Sequence, residues 1–131
     1  MRGRWFVAAI RPGGKTGVWA LPKGLVAGGE DAAATALREV AEETGVRATL
    51  AGKLGDVRYV YTWKGERVFK IVSFFLMRYA AGRLGDLPPA LAFEVEEARW
   101  LPLEDAPSLL SYRGEREMAE LALRAASEGE L

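Results

Sequence analysis

Three glutamates lie close together on one predicted helix and could hold a divalent cation. Glu39, Glu42 and Glu43 are spaced i, i+3 and i+4, which brings them to one side of a helix. Like charges at this spacing destabilise a helix, so the cluster is a poor structural device unless a cation relieves the repulsion. Carboxylate oxygens suit Mg²⁺ or Mn²⁺, and magnesium usually takes its remaining ligands from water and substrate phosphates. A solvated acidic face is the ordinary alternative for a Glu-rich turn.

The helix that carries these glutamates is predicted within residues 24–46. Glu30 and Asp31 place negative charge at its start, where the helix dipole favours it. Gly45 follows the last periodic residue, where a left-handed cap belongs. At about 100° per residue, one stripe should face the core, and the three glutamates fall on roughly the opposite side. The members of the stripe are Ala33, Leu37, Val40 and Thr44.

The same stretch resembles the Nudix box, G-x5-E-x7-R-E-U-x-E-E-x-G-U, in which U is an aliphatic residue. All nine fixed positions are filled, by Gly24, Glu30, Arg38, Glu39, Val40, Glu42, Glu43, Gly45 and Val46. A match this specific favours a metal site over a solvated acidic face for the three glutamates. The box covers residues 24–46 of the 131, and the resemblance implies that residues 1–131 form a single Nudix domain.

The resemblance also implies a reaction, the hydrolysis of a diphosphate linked to another moiety, with Mg²⁺ or Mn²⁺ as the cofactor. Divalent ions on Glu39, Glu42 and Glu43 would neutralise phosphate charge and lower the pKa of a bound water. A carboxylate would then take the proton from that water. Arg38 would orient Glu39 through a charge-assisted contact, and Glu30 would support the loop or the outer metal shell.

Two other regions are implied to contribute to the same site. In this family the backbone carbonyl before the box glycine, here that of Lys23, often joins the metal shell. The Lys23 ammonium could also reach a phosphate, and an ordinary surface lysine is the alternative. An acidic residue from later in the chain often completes the metal site or acts as the base. We assign this role in the metal site to Glu94, although the sequence would allow Glu96 or Glu97 equally well.

An aromatic strand face and a lysine on the next strand are candidates for substrate binding. Tyr59, Tyr61 and Trp63 share one face of a strand predicted within residues 48–63. Aromatic rings stack on nucleobases, and packing of the rings under a helix is the alternative. Lys70 interrupts the following apolar run and is a candidate phosphate ligand. The substrate-binding residues predicted are Lys23, Tyr59, Tyr61 and Lys70.

The residues before the box favour one substrate class. The run Pro22-Lys23-Gly24 resembles that of dinucleoside polyphosphate hydrolases, whereas the nucleotide-sanitising, MutT-like members more often have Pro-Gly-Gly. We therefore expect a small-molecule nucleotide substrate, a diadenosine or other dinucleoside polyphosphate. A nucleoside triphosphate such as oxidised dGTP is the alternative. A third hypothesis is a non-catalytic nucleotide-binding module. Such modules usually lose box carboxylates, which this chain keeps.

Composition excludes several other classes of protein. Lys and Arg together number 18, as do Asp and Glu, so the net charge of zero argues against a nucleic-acid or membrane partner. The absence of Cys and His excludes a disulfide framework, a thiol nucleophile, a Ser-His triad and His metal ligands. No signal peptide or long apolar run is evident, so we expect a cytoplasmic protein. Its oligomeric state is open between a monomer and a homodimer.

The remaining pattern predicts an α/β fold, a Nudix-type α/β/α sandwich with a mixed β-sheet flanked by helices. The long strand is expected to be buried on both faces, because its apolar run is nearly continuous. The predicted strands are 4–10, 18–21, 48–63 with a break at 54–56, 67–79 and 98–103. The other predicted elements are a hairpin turn at 64–66, a loop at 80–92, a short helix beginning within 103–106 and an amphipathic helix at 115–126. The apolar stripe of that last helix is Met118, Leu121, Ala122 and Ala125.

Two departures from the family pattern stand out. Family members usually begin with a further strand that contains a Gly-Gly pair, before the segment that matches residues 4–10. The chain starts too late to contain that strand, so we expect a truncated start or another segment over that sheet edge. Gly28 stands where proline is common.

Overall fold

The computed structural model describes residues 5–24, 26, 28–89 and 91–129, and these combine strands and helices in one α/β fold. Arg4, the first residue of a predicted strand, lies outside the described residues. In chain order the elements are β1 (Phe6–Pro12), α1 (Ala32–Thr44), β2 (Val46–Trp63), β3 (Glu66–Gly82), β4 (Val95–Pro102), α2 (Ala106–Leu109) and α3 (Arg113–Ser127). A short 3-10 turn, Ala92–Glu94, leads into β4.

The strands form two antiparallel pairs. β1 pairs with β4, and β2 pairs with β3 in a long hairpin. The hairpin turn is Lys64 and Gly65, whose φ values of 51° and 78° match the tight turn that suits a right-handed strand twist. Within the described ranges the two pairs are not hydrogen-bonded to each other, so the predicted single mixed sheet is replaced by two antiparallel pairs. The predicted strand at 18–21 is only a bridge between Ala20 and Ile10.

The hairpin differs from the prediction at two places. β2 runs without a break, because register shifts after Leu50 and Lys53 absorb the irregular stretch. The predicted burial of both faces of β3 is wrong. Phe69 and Ile71 are 64% and 59% exposed, because this end of the hairpin extends beyond the core. Only near Phe74, which is 7% exposed, does β3 enter the core.

Local signals define α1, as the sequence predicts. The Asp31 side chain accepts a hydrogen bond of 2.8 Å from the Ala34 N–H, which caps the first turn. Gly45 has a φ of 83° and donates its N–H to the Ala41 carbonyl, which closes the last turn in the left-handed conformation. The described residues between 24 and 31 form a loop before the helix.

The buried face of α1 is only partly the predicted stripe. Thr44 is buried, whereas Ala33, Leu37 and Val40 are half-buried. Thr35 is buried instead, and its hydroxyl is 3.0 Å from the Asp31 carbonyl. α1 contacts all four strands, so its side chains are divided between the two strand pairs. Leu37 is therefore less of a core anchor than the periodicity suggests.

The C-terminal helix packs as expected but carries one unexpected residue. Met118, Ala122 and Ala125 are buried and Leu121 is partly buried. Glu115 is also fully buried at the start of the same face. α3 packs against β2 and α2 and completes the main core. That core consists of Ala9, Trp19, Leu21, Val57, Phe74, Leu101, Ala106, Leu110, Met118 and Ala119.

A cavity of about 1260 Å³ lies between the two strand pairs. Consecutive residues 5–8 of the β1 segment and 70–79 of β3 line it. Neighbouring residues of a strand point to opposite faces, so an unbroken run of lining residues means that strand edges border the cavity. It reaches Lys23, Gly24 and Lys70, but the acidic residues of α1 do not line it. In the part of the chain that the structure describes, no helix is long and apolar enough to cross a membrane.

Candidate active site

Arg38 gathers the carboxylates of α1 and of the loop before it. Its Nε lies 2.6 Å from a Glu30 carboxylate oxygen. Its Nη1 lies 2.7 Å from Glu39 Oε1 and 2.6 Å from Glu42 Oε1. These hydrogen bonds raise the pKa of Arg38 above its ordinary value, and the one to Glu30 contributes most. The predicted Arg38–Glu39 contact is present, and Glu30 is tied to the same guanidinium.

The Glu39 carboxyl group lies between Arg38 and Gly24, at the start of the loop that precedes α1. The Glu39 carboxyl group lies directly against Gly24, where a Cβ atom would meet it unless the Glu39 side chain shifted. Burial is the main cause of a raised pKa at Glu39, and the charge of Glu42 adds to it, while Arg38 opposes it. The carboxylate is thus partly desolvated and fixed in place, beside the box loop.

Glu43 is bound to the backbone of Lys23, the residue before Gly24. Its Oε1 accepts a 2.8 Å hydrogen bond from the backbone N–H of Lys23. Burial raises the pKa of Glu43 to about 7, and the charges of Glu39 and Glu94 act in the same direction. Glu94 is therefore close enough to influence this cluster. Glu97 instead pairs with Arg11 and Arg99.

The raised pKa of Glu43 predicts how the free energy of unfolding changes with pH when no metal is bound. Its folded pKa of about 7 lies above the ordinary 4.5, so the folded state binds the proton more tightly than the unfolded chain does. This contribution is complete below about pH 4.5 and is lost as the pH rises through 7. In EDTA, the free energy of unfolding should lose roughly 2–3 kcal/mol from this group over that range.

Urea unfolding of the wild type and of Glu43→Gln, measured at several pH values in EDTA, isolates this effect. The amide oxygen of glutamine can still accept from the Lys23 N–H, so the variant keeps the contact and loses the titration. The variant should be less sensitive to pH between about 4.5 and 7 by the stated amount. Parallel stability curves for the two proteins would show that Glu43 titrates normally.

The Lys23 side chain lies inside the protein instead of on its surface. Its Nζ is 2.9 Å from Glu115 Oε2, and only 17% of the side chain is exposed. Glu115 also accepts a 2.7 Å hydrogen bond from the Leu21 N–H and a 2.6 Å bond from the Tyr59 hydroxyl. The surface-lysine alternative is therefore wrong. Sequence reasoning missed Glu115, although a carboxylate three residues before Met118 on an apolar stripe was a usable signal.

A group of lysines and tyrosines surrounds this buried pair. Lys70 Nζ lies 5.6 Å from the Tyr59 ring centre, and the rings of Tyr59 and Tyr112 meet edge to face at 6.2 Å. Burial lowers the pKa of Lys70, and the nearby charges of Lys23 and Lys15 lower it further. Lys15 Nζ is 3.4 Å from the Tyr112 hydroxyl. No pattern in the sequence indicated that Lys15 and Tyr112 would join this group.

The two predicted tyrosines have different surroundings. Tyr59 is half-buried with its hydroxyl committed to Glu115, so the alternative of packing against a helix is partly right for it. The pKa of Tyr59 is raised by burial and by the Glu115 charge. Tyr61 is 43% exposed and lies two residues farther along β2, toward the hairpin turn.

The acidic residues suit a divalent cation in their chemistry but are not yet arranged around one. Across the described ranges, no three acidic side chains converge closely enough to hold a metal ion. The reason is that Glu39 and Glu42 turn toward Arg38, and Glu43 turns toward the Lys23 N–H. The donors are hard oxygens, and burial, with the charges of neighbouring glutamates, raises the pKa of both Glu39 and Glu43, so a cation beside them would favour their ionised forms.

Comparison with known proteins identifies the family. The NUDIX domain model matches residues 2–123. A putative mutator protein, MutT4, of Mycobacterium tuberculosis is 45% identical over 105 residues, which are 80% of this chain and 41% of that protein. An asymmetrical bis(5'-nucleosyl)-tetraphosphatase of Rattus norvegicus is 34% identical over 94 residues, 72% of this chain and 62% of that protein. The chain thus spans less than two thirds of the length of either relative.

A solved structure supports the same assignment at the level of the fold. The crystal structure of a C. elegans Ap4A hydrolase binary complex superposes with a TM-score of 0.71 at 21% identity, covering 98% of this chain and 90% of that one. With a family match over nearly its whole length and all nine box positions filled, the chain belongs to the Nudix family.

Proposed function

We propose that the protein is a Mg²⁺-dependent hydrolase of a diphosphate linked to another moiety, acting on dinucleoside polyphosphates. The observation that carries the proposal is the juxtaposition of two groups across residues 21–24, here called the Lys23 loop. The complete set of box carboxylates lies on one side, with Glu43 bound to the Lys23 N–H. A lysine–tyrosine group lies on the other, with Lys23 bound to Glu115 beneath Tyr59.

The carboxylates of α1 form the reacting half of the site. Glu39, Glu42 and Glu43, with the Lys23 carbonyl and Glu94, would hold the divalent cation. When bound, such an ion neutralises phosphate charge and lowers the pKa of water. Arg38 holds Glu39 and Glu42 in position through hydrogen bonds of 2.7 and 2.6 Å. One of these carboxylates takes the proton from the attacking water, and Glu39, fixed against Gly24, is our first choice.

The lysine–tyrosine group forms the binding half. Lys70 and Lys15 place positive charge around two aromatic rings, those of Tyr59 and Tyr112. Ammonium groups bind phosphates, and aromatic rings stack on bases without selecting one base strongly. A substrate with a long phosphate chain and a base at each end can use both halves at once. Positioning of this kind supplies much of the rate in phosphoryl transfer.

Two observations weigh on the substrate class. The relative named as a bis(5'-nucleosyl)-tetraphosphatase and the run Pro22-Lys23-Gly24 favour a dinucleoside polyphosphate. A relative named as an 8-oxo-(d)GTP phosphatase, 35% identical over 100 residues, keeps oxidised nucleoside triphosphates as the second candidate. A non-catalytic module is less well supported, because the chain keeps every box carboxylate.

A nucleotide panel with Mg²⁺ tests the proposal. At equal concentration, a diadenosine polyphosphate should be hydrolysed with a higher kcat/KM than dGTP or its oxidised form, because its longer phosphate chain and second base can make more contacts with the lysine–tyrosine group. Products would be separated by chromatography and initial rates compared. The reverse order would move the protein to the nucleotide-sanitising group. A failure to hydrolyse any diphosphate compound would support the binding module instead.

We also propose that residues 1–131 act as one domain. The family model spans 2–123, and the main core draws on residues from Ala9 to Ala119. Segments far apart in the chain therefore share one hydrophobic core, as expected for a single domain.

A further inference from the structure

Glu115 is a fully buried carboxylate that touches the Lys23 loop at two points. It lies in the first turn of α3 with 0% exposure. One oxygen accepts the Leu21 N–H at 2.7 Å, and the other lies 2.9 Å from Lys23 Nζ. The second oxygen also accepts the Tyr59 hydroxyl at 2.6 Å. All three partners border the proposed site, and Leu21 lies 94 residues away in the chain.

A buried charge is unfavourable unless it is paired and fully hydrogen-bonded. Glu115 meets that condition only because Lys23 is present, so the pair depends on the loop holding this conformation. The same loop is bound from α1, where Glu43 accepts the Lys23 N–H at 2.8 Å. Lys23 is therefore held by one carboxylate through its side chain and by another through its backbone.

We infer that Glu115 is a positioning residue of the active site, which fixes the Lys23 loop so that the carboxylates of α1 and the lysine–tyrosine group keep their relative geometry. This inference rests on the proposed function. Glu115 acts through Lys23 and needs no contact with the substrate. Displacement of groups around reacting atoms by even about 1 Å can lower the rate about a hundredfold, so a residue in this place governs kcat.

Glu115→Gln tests the inference with little change in shape. The amide oxygen can still accept from the Leu21 N–H, but the charge that holds Lys23 is lost. We expect kcat per folded molecule to fall roughly tenfold to hundredfold, the scale of a lost charge-assisted hydrogen bond. The rise in melting temperature on addition of Mg²⁺ should also shrink. Glu117→Gln, two residues along α3 with an exposed side chain, is the matched control and should match the wild type in both measurements.

A double-mutant cycle with Lys23→Met separates positioning from a purely structural role. If Glu115 acts through Lys23, the two substitutions remove the same contact, so the double variant should be little worse than the poorer single one. If each residue acted independently, the losses in kcat would multiply. A multiplicative result would overturn the inference.

Other outcomes are equally decisive. Glu115→Gln that melts earlier but keeps kcat per folded molecule within twofold of the wild type would make Glu115 purely structural. If that variant does not fold, Glu115→Asp, which retains the charge but shortens the side chain, is measured instead. An unchanged kcat in Glu115→Asp would also overturn the inference. Loss of the proposed function is distinguishable, because then the wild type itself would hydrolyse no nucleotide.

Discussion

Glu39→Gln should lower kcat by roughly two orders of magnitude or more while the protein stays folded. Losses of this size are typical of a missing general base or a preorganised charge. The fold should survive, because burial and the charge of Glu42 raise the pKa of Glu39, so its ionised form is disfavoured in the folded state. Neutralising it relieves repulsion on α1. The melting temperature in EDTA should therefore stay level or rise.

The measurement pairs steady-state kinetics with thermal melting in EDTA and in Mg²⁺. Glu117→Gln, an exposed and distant charge change, is the control and should leave both unchanged. A Glu39→Gln protein that melts early would show that this side chain supports the core. A folded variant with full activity would show that the phosphates bind at a different face of α1.

Removal of divalent cations is the change with the largest expected effect. In EDTA the protein should be inactive, and added Mg²⁺ or Mn²⁺ should restore the rate. Glu39, Glu42 and Glu43 would hold the ion, and its charge would neutralise that of the substrate phosphates. Mg²⁺ at about a hundred times its Kd should stabilise the fold by roughly 2.7 kcal/mol. Full turnover in metal-free buffer would exclude the metal mechanism.

The features that the sequence predicts well depend on neighbouring residues. Asp31 and Gly45 bound α1 because a cap acts within one turn of a helix. The hairpin turn at Lys64 and Gly65 is likewise local. The contact of Arg38 with Glu39 joins adjacent residues of one helix. Such features need no knowledge of the rest of the fold.

The features that the sequence does not predict depend on distant partners. An apolar run suggested burial of both faces of β3, but Phe69 and Ile71 are exposed because no second layer covers them among the described residues. Glu115 was missed because its partners, Lys23 and Tyr59, lie far from it in the chain. Charge on an apolar helix face is a local signal, but what it binds is decided by the tertiary fold.

The most direct test of the metal site is a calorimetric titration with Mn²⁺ of the wild type and of the variant in which Glu39, Glu42 and Glu43 are all glutamine. Both proteins are first freed of metal and confirmed to be folded by circular dichroism. The wild type should show saturable binding, and the triple variant should show none at the same concentrations. Equal binding by the two proteins would contradict the assignment of the cation to the carboxylates of α1.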